Sequence, residues 1–120
     1  MLKSYQKKFL DKIHQKAHDI KGLELLVAYG SYVRNELTSK SDVDFFAMFH
    51  GPESLEKGEK QLYNILSAEC DAEMELPASL YAVSEDEEID KSFFYRILTE
   101  GFIITPAISD YLVKVVKPSP

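Results

Sequence analysis

The chain lacks most of what marks a secreted, membrane or nucleic-acid-coating protein. Its one cysteine, Cys70, leaves no internal disulfide available, so a reducing cytoplasm is the expected compartment. The opening residues, MLKSYQKKFL, have no apolar core of a secretory signal, and nothing in the composition resembles a membrane protein. Basic residues are the minority, with 14 Lys and Arg against 20 Asp and Glu for a net charge of −6. They form no obvious patch beyond the first amphipathic stretch, which disfavours a general nucleic-acid surface. No GxxxxGK[ST] run is present, so a P-loop ATPase is excluded. Internal repeats and low-complexity tracts are also missing.

What is there reads as one globular domain. Hydrophobic residues make up 45% and charged residues 28% of 120 residues, enough to bury roughly two thirds of the unfolded-chain surface. The expected fold class is α+β, a small mixed sheet packed with helices. Residues 1–120 form the domain, and residues 108–120 serve as a docking segment or a flexible tail.

Leu2, Phe9, Leu10, Ile13, Ala17 and Ile20 recur at helical steps and predict a first helix over residues 2–20. His14 and His18 lie off that stripe and read as surface residues, and Lys3, Lys7, Lys8, Lys12 and Lys16 read as a solvated face. A second helix is expected over residues 53–68, weakened by Gly58, after His50-Gly51-Pro52 breaks a strand. If this helix crosses over the sheet, the strands on either side of it lie side by side and parallel. The second of those strands falls somewhere within residues 72–83. Ser84-Glu85-Asp86-Glu87 has the form of a capping box opening a third helix to Glu100, with Gly101 as its stop. Residues 102–105 make a last short strand. The apolar residues 111–116 add an edge strand or dock on a partner.

The centre of the chain is YGSYVRNELTSKSDVDFFAMF, residues 29–49. An apolar strand ending at Tyr29 is followed by Gly30-Ser31, a tight turn with Ser as N-cap of a short helix over residues 32–37. Free N–H groups and the dipole at such a start favour an anion such as a triphosphate. Asp42 and Asp44 then open a buried strand over residues 42–49. Residues two apart in a strand share a face, with Cα atoms about 6.7 Å apart, so the carboxylates can share one cation. Two like charges about 4 Å apart repel by roughly 4 kcal/mol at an effective dielectric of 20, so the pair needs a cation or a proton. Mg2+ suits it, because Mg2+ takes one or two carboxylates and completes its shell with water and substrate phosphates.

Gly30-Ser31, ten intervening residues, then Asp42-Val43-Asp44 resembles the GSX10DXD signature of the DNA polymerase β-like nucleotidyltransferase superfamily, in particular its minimal antitoxin members encoded beside HEPN-domain toxins. The sequence FFYRILTEGFII, residues 93–104, looks more loosely like that family's closing helix and strand. The resemblance implies that Ser31 contacts the β- and γ-phosphates of ATP, that Asp42 and Asp44 ligate Mg2+, and that Arg34 supports the turn or the phosphates. It also implies a third acidic residue on the next strand, at a position that falls near Ser79, which is not acidic. Glu75 shares strand parity with Ser79 and is the first candidate, Glu73 is the second, and a vacant position is the third reading. Transfer of AMP to a hydroxyl is the implied reaction, with a tyrosine of a HEPN-type partner as acceptor. Larger relatives carry an acceptor-selecting domain for which this chain has no room, so selection falls to a partner or to another copy in a homo-oligomer. A contact-only binding module and a small-molecule nucleotidyltransferase are the rival expectations.

Overall fold

Residues 25–28 and 45–49 are uninterrupted apolar runs with no polar side to offer water, which requires a sheet covered on both faces. The computed structural model describes residues 3–104 and builds that arrangement. In chain order it contains α1 (Ser4–Ala17), β1 (Leu23–Tyr29), β2 (Val43–Phe49), α2 (Gly51–Met74), β3 (Ala78–Ser84), α3 (Lys91–Glu100) and β4 (Phe102–Ile103). The four strands form one mixed sheet in the order β3-β2-β1-β4. β1 pairs antiparallel with β2 and with β4, while β2 and β3 run parallel, as the crossover helix between them requires. The tail over 108–120, the apolar residues 111–116 and the end of the expected last strand lie outside the described residues.

Alternation along the strands divides the core in two. Leu26, Ala28, Val43, Phe45, Ala47 and Phe49 face α1 and α2, meeting Phe9, Leu10, Ile13, Leu62, Leu66 and Cys70. Leu25, Val27, Phe46, Met48 and Val83 face α3, where Ile97 and Leu98 cover them. Asp44 shares the parity of Phe46 and Met48 and therefore stands on the α3 side. Burial pushes the Cys70 thiol up to about 12, so it stays protonated in the core.

The helices depart from their expected bounds for identifiable reasons. His50 is the N-cap of α2, and Pro52 sits in its first turn, where a missing N–H costs nothing; His50-Gly51-Pro52 thus opens the helix. The helix runs on through the acidic stretch 69–74 because α1 neutralises it. Lys16 bonds to the nearly buried Glu69 and holds its carboxyl below the usual range, and Lys12 reaches Glu73 at 3.4 Å. Lys12 and Lys16 are thus an interhelical clamp rather than a solvated face. Half of the Ser84 box forms, with Ser84 N–H donating to Glu87 Oε2 at 2.6 Å, but Glu87 N–H donates to the Ser84 carbonyl and the motif closes a turn. Ser84 still pairs with Phe49 in the sheet, and the N-cap of α3 is Asp90, whose Oδ1 accepts from Phe93 N at 2.9 Å.

Gly58 is a packing requirement rather than a weakness of α2. A Cβ there would lie 2.5 Å from Cε1 of the buried Phe49 and 3.2 Å from Cγ2 of Ile20. Gly58→Ala should therefore destabilise by up to about 2 kcal/mol, because overpacking of about 1–3 kcal/mol exceeds the roughly 1 kcal/mol gained in helix propensity. A urea-denaturation midpoint above that of the wild type would contradict this packing.

Candidate functional site

β1 ends at Tyr29, and Gly30 turns the chain with φ 76°, a conformation that a side chain disfavours. Space imposes the same residue. A Cβ on Gly30 would lie 2.6 Å from Oδ2 of Asp44, so the aspartate carboxylate rests against the glycine backbone. Beyond Gly30 the backbone makes turns instead of the expected helix over 32–37. Arg34 N–H donates to Gly30 O at 3.3 Å and Glu36 N–H to Ser31 O at 2.9 Å, but Asn35 at φ 61° reverses the helical course. The Ser31 hydroxyl makes no hydrogen bond among the described residues.

The turn is fastened from α1. Gln6, almost fully buried, donates from Nε2 to Tyr32 O at 3.0 Å and to Asn35 Oδ1 at 3.2 Å. The buried Tyr32 ring meets Phe9 edge-on at 5.6 Å. Sequence reasoning passed over Gln6. Its signal is a polar residue on the stripe of Phe9, Leu10 and Ile13, a position at which an amide must find partners.

Asp44 lies in register with Tyr29 on one side and with Ser79 on the other. Asp42 is exposed and stands one residue before β2 begins, with Val43 buried on the opposite face. Burial raises the Asp44 pKa above the usual aspartate value, and the Asp42 charge adds to the rise while Arg34 opposes it. Neither carboxylate has a hydrogen bond or an ion pair among the described residues. Two carboxylates that repel each other and have no ion pair among the described residues, beside a glycine turn, are a donor set that fits a hard divalent cation such as Mg2+.

No third carboxylate joins them in a metal-spaced group among the described residues. Glu75 is not on a strand but is the C-cap of α2 with φ 53°, because β3 starts only at Ala78, directly after Pro77. Glu73 lies within α2 and is engaged by Lys12, on the side of the sheet opposite Asp44. Ser79 occupies the position beside Asp44. Among the described residues, the one group of three with metal-ligand spacing is Glu24, His50 and Glu85. It stands at the opposite end of the strands, with His50 Nδ1 3.2 Å from Glu24 Oε1 and 2.6 Å from Glu85 Oε1. His14 and His18 gather no further ligand into such a group.

On the α3 side of Gly30 a cleft of about 180 Å3 opens. Tyr29, Gly30 and Arg34 line it from the turn, and Phe93, Arg96 and Glu100 line it from α3. Tyr29 and Phe93 pack edge-to-face at 5.9 Å at its base. Sequence reasoning placed the aromatic residues of α3 in the core but gave Arg96 and Glu100 no role.

This arrangement, a glycine turn and an aspartate pair on adjacent antiparallel strands of a mixed sheet, belongs to a known class. A family model described as polymerase beta, nucleotidyltransferase, matches residues 11–107, and the chain belongs to that family. Among solved structures, one described as a toxin-antitoxin with AMP-PNP superposes with a TM-score of 0.58 at 17% identity, covering 92% of this chain and 82% of the other. Another, a toxin-antitoxin MntA-HpeT mutant, superposes with a TM-score of 0.57 at 16% identity, covering 93% and 82%. At this identity the likeness establishes a shared fold. A search of curated proteins finds no match.

Two outcomes follow from the site. Gly30→Ala should cost about 1–2 kcal/mol from the left-handed backbone alone, with further loss from the collision with Asp44, measurable by thermal or urea unfolding. Asp44 binds its proton more tightly folded than unfolded, so its ionisation opposes folding. That penalty is absent below the usual aspartate pKa, grows as pH rises through the raised folded value, and is complete above it. Asp44→Asn should therefore raise the unfolding temperature at neutral pH without divalent cations, and the gain should vanish in acid. An equal or lower unfolding temperature at neutral pH would contradict the electrostatic reading.

Proposed function

We propose that the chain transfers AMP from ATP to a hydroxyl, releasing pyrophosphate, and that it works in the cytoplasm as an antitoxin whose acceptor is a tyrosine of a HEPN-type toxin. The contact between Gly30 and the Asp44 carboxylate carries the reading, since it joins a phosphate turn to a metal-type carboxylate pair within family-typical strands. The toxin-antitoxin and AMP-PNP descriptions of the structural relatives support the partner and the nucleotide. Ser31 and the turn N–H groups hold the phosphate tail, and Arg34 supports them. Asp42 and Asp44 would hold Mg2+, which would supply charge neutralisation for the transfer. The acceptor oxygen bonds to the α-phosphorus, the bond from that phosphorus to the bridging oxygen breaks, pyrophosphate leaves with the electron pair, and the hydroxyl proton passes to water. Acceptor selection comes from the partner or from a second copy of the chain.

Ser79 beside Asp44 favours one other reading, a module that binds nucleotide and silences its partner by contact alone. Purified chain, the product of the neighbouring gene, Mg2+ and ATP labelled at the α-phosphate separate the two. Label should enter a partner tyrosine, and Asp42→Asn with Asp44→Asn should lower transfer by at least about 100-fold, the scale for removing a preorganised electrostatic group. Silencing of the partner without label, retained by the double variant, would replace transfer with contact inhibition.

A further inference from the structure

Phe93, Arg96, Ile97 and Glu100 follow one another at three- and four-residue steps, so a single stripe of α3 faces the sheet and the cleft. The end of that helix is fixed against β1. A Cβ on Gly101 would lie 2.6 Å from Val27 Cγ1 and 2.8 Å from Ala28 O, and Phe102 then pairs with Ala28. The last turn of α3 is thus held two residues before Gly30, and Arg96 faces Arg34 across a cleft of about 180 Å3. Arg34 is engaged through Nε with Glu36 Oε1 at 2.7 Å. The Arg96 guanidinium makes no hydrogen bond or ion pair among the described residues, although Glu100 stands one turn away. With Arg34 already paired to Glu36, Arg96 is the guanidinium of this cleft left without an ion pair among the described residues, in a chain of net charge −6.

Position along the sheet says which part of a nucleotide that charge meets. Ser79, Asp44 and Tyr29 lie in register across β3, β2 and β1, with Gly30 and the cleft following beyond β1. If Asp44 marks the reacting phosphorus, an acceptor arriving over β3 attacks from one side, and the leaving group extends to the other, over the turn.

We infer that Arg96 is a second phosphate-binding arginine, which grips the pyrophosphate end of ATP from α3 opposite Arg34. This rests on the nucleotide-transfer reading above. An arginine offers its planar fork to phosphate oxygens and stays charged throughout, so it also offsets the negative charge that builds on departing pyrophosphate. Glu100 in the same cleft works against the anion and limits how tightly product pyrophosphate is held.

Calorimetric titration of the full chain with Mg2+ and AMP-PNP, inorganic pyrophosphate or AMP tests the assignment. Arg96→Ala should weaken AMP-PNP and pyrophosphate by about tenfold or more, the scale of a hydrogen bond to a charged group, and leave AMP unchanged. Arg96→Lys should fall between, and Glu100→Gln should tighten AMP-PNP binding. Arg96 is exposed, so its variants should unfold at the wild-type temperature. Unchanged AMP-PNP binding by Arg96→Ala, or an equal loss for AMP and AMP-PNP, would overturn the pyrophosphate assignment while leaving nucleotide transfer standing. A wild-type chain that binds no AMP-PNP would overturn both.

Discussion

The constraint on which the site depends is the contact between the Gly30 backbone and the Asp44 carboxylate. It exists because β1 and β2 pair antiparallel with Tyr29 opposite Asp44, so the residue that turns out of one strand meets a side chain near the start of the other. Any side chain on Gly30 would displace the carboxylate, and any slip of one residue in register would send Asp44 to the α1–α2 core. The apolar residues of both strands resist that slip from both faces. The core therefore sets the chemistry as well as the stability, since the same register buries Phe45 and Phe46 on opposite sides and aims Asp44 at the turn.

Around this contact the protein leaves charge uncompensated where a ligand would supply it and compensates charge elsewhere. Glu69, nearly buried, is neutralised by Lys16, and the acidic end of α2 is held by α1. Asp44, half-buried, receives only the distant help of Arg34 and bears the repulsion of Asp42. The fold thus pairs one acidic cluster and leaves Asp42 and Asp44 without an ion pair among the described residues. Gln6 holds the turn in place, because its buried Nε2 donates to Tyr32 O and Asn35 Oδ1 and to nothing else among the described residues.

The sequence was legible where a single element carries the signal. The strand before Gly30 and the side of Val43 were readable from apolar pattern and parity, the parallel pairing of β2 with β3 followed from a crossover helix, and the position of Ser79 came from the family resemblance. It was less legible where two elements compete for the same residues. The Ser84 box has the sequence of a helix cap, yet the sheet claims Ser84 first and the helix begins at Asp90. Glu75 was a candidate through its parity with Ser79 on a straight strand, yet α2 runs on to Met74, held by the lysines of α1, and Glu75 caps it. Gly58 read as a weak point until Phe49 and Ile20 were seen against it. Each of these depends on a neighbour far away in sequence.

By itself, the sequence determined the family-bearing motif, the glycine turn and the two aspartates, because their spacing within adjacent elements encodes which side chains can point together. It also determined the fold class, through the apolar runs and stripes that demand a mixed sheet with helices. Tertiary structure alone decided that no glutamate joins Asp44 from β3, that Gln6 anchors the turn, and that Arg96 faces Arg34. The physical reason is that strand parity and helix period act over a few residues, whereas a cleft between α3 and a turn some sixty residues earlier exists only once the sheet has brought them together.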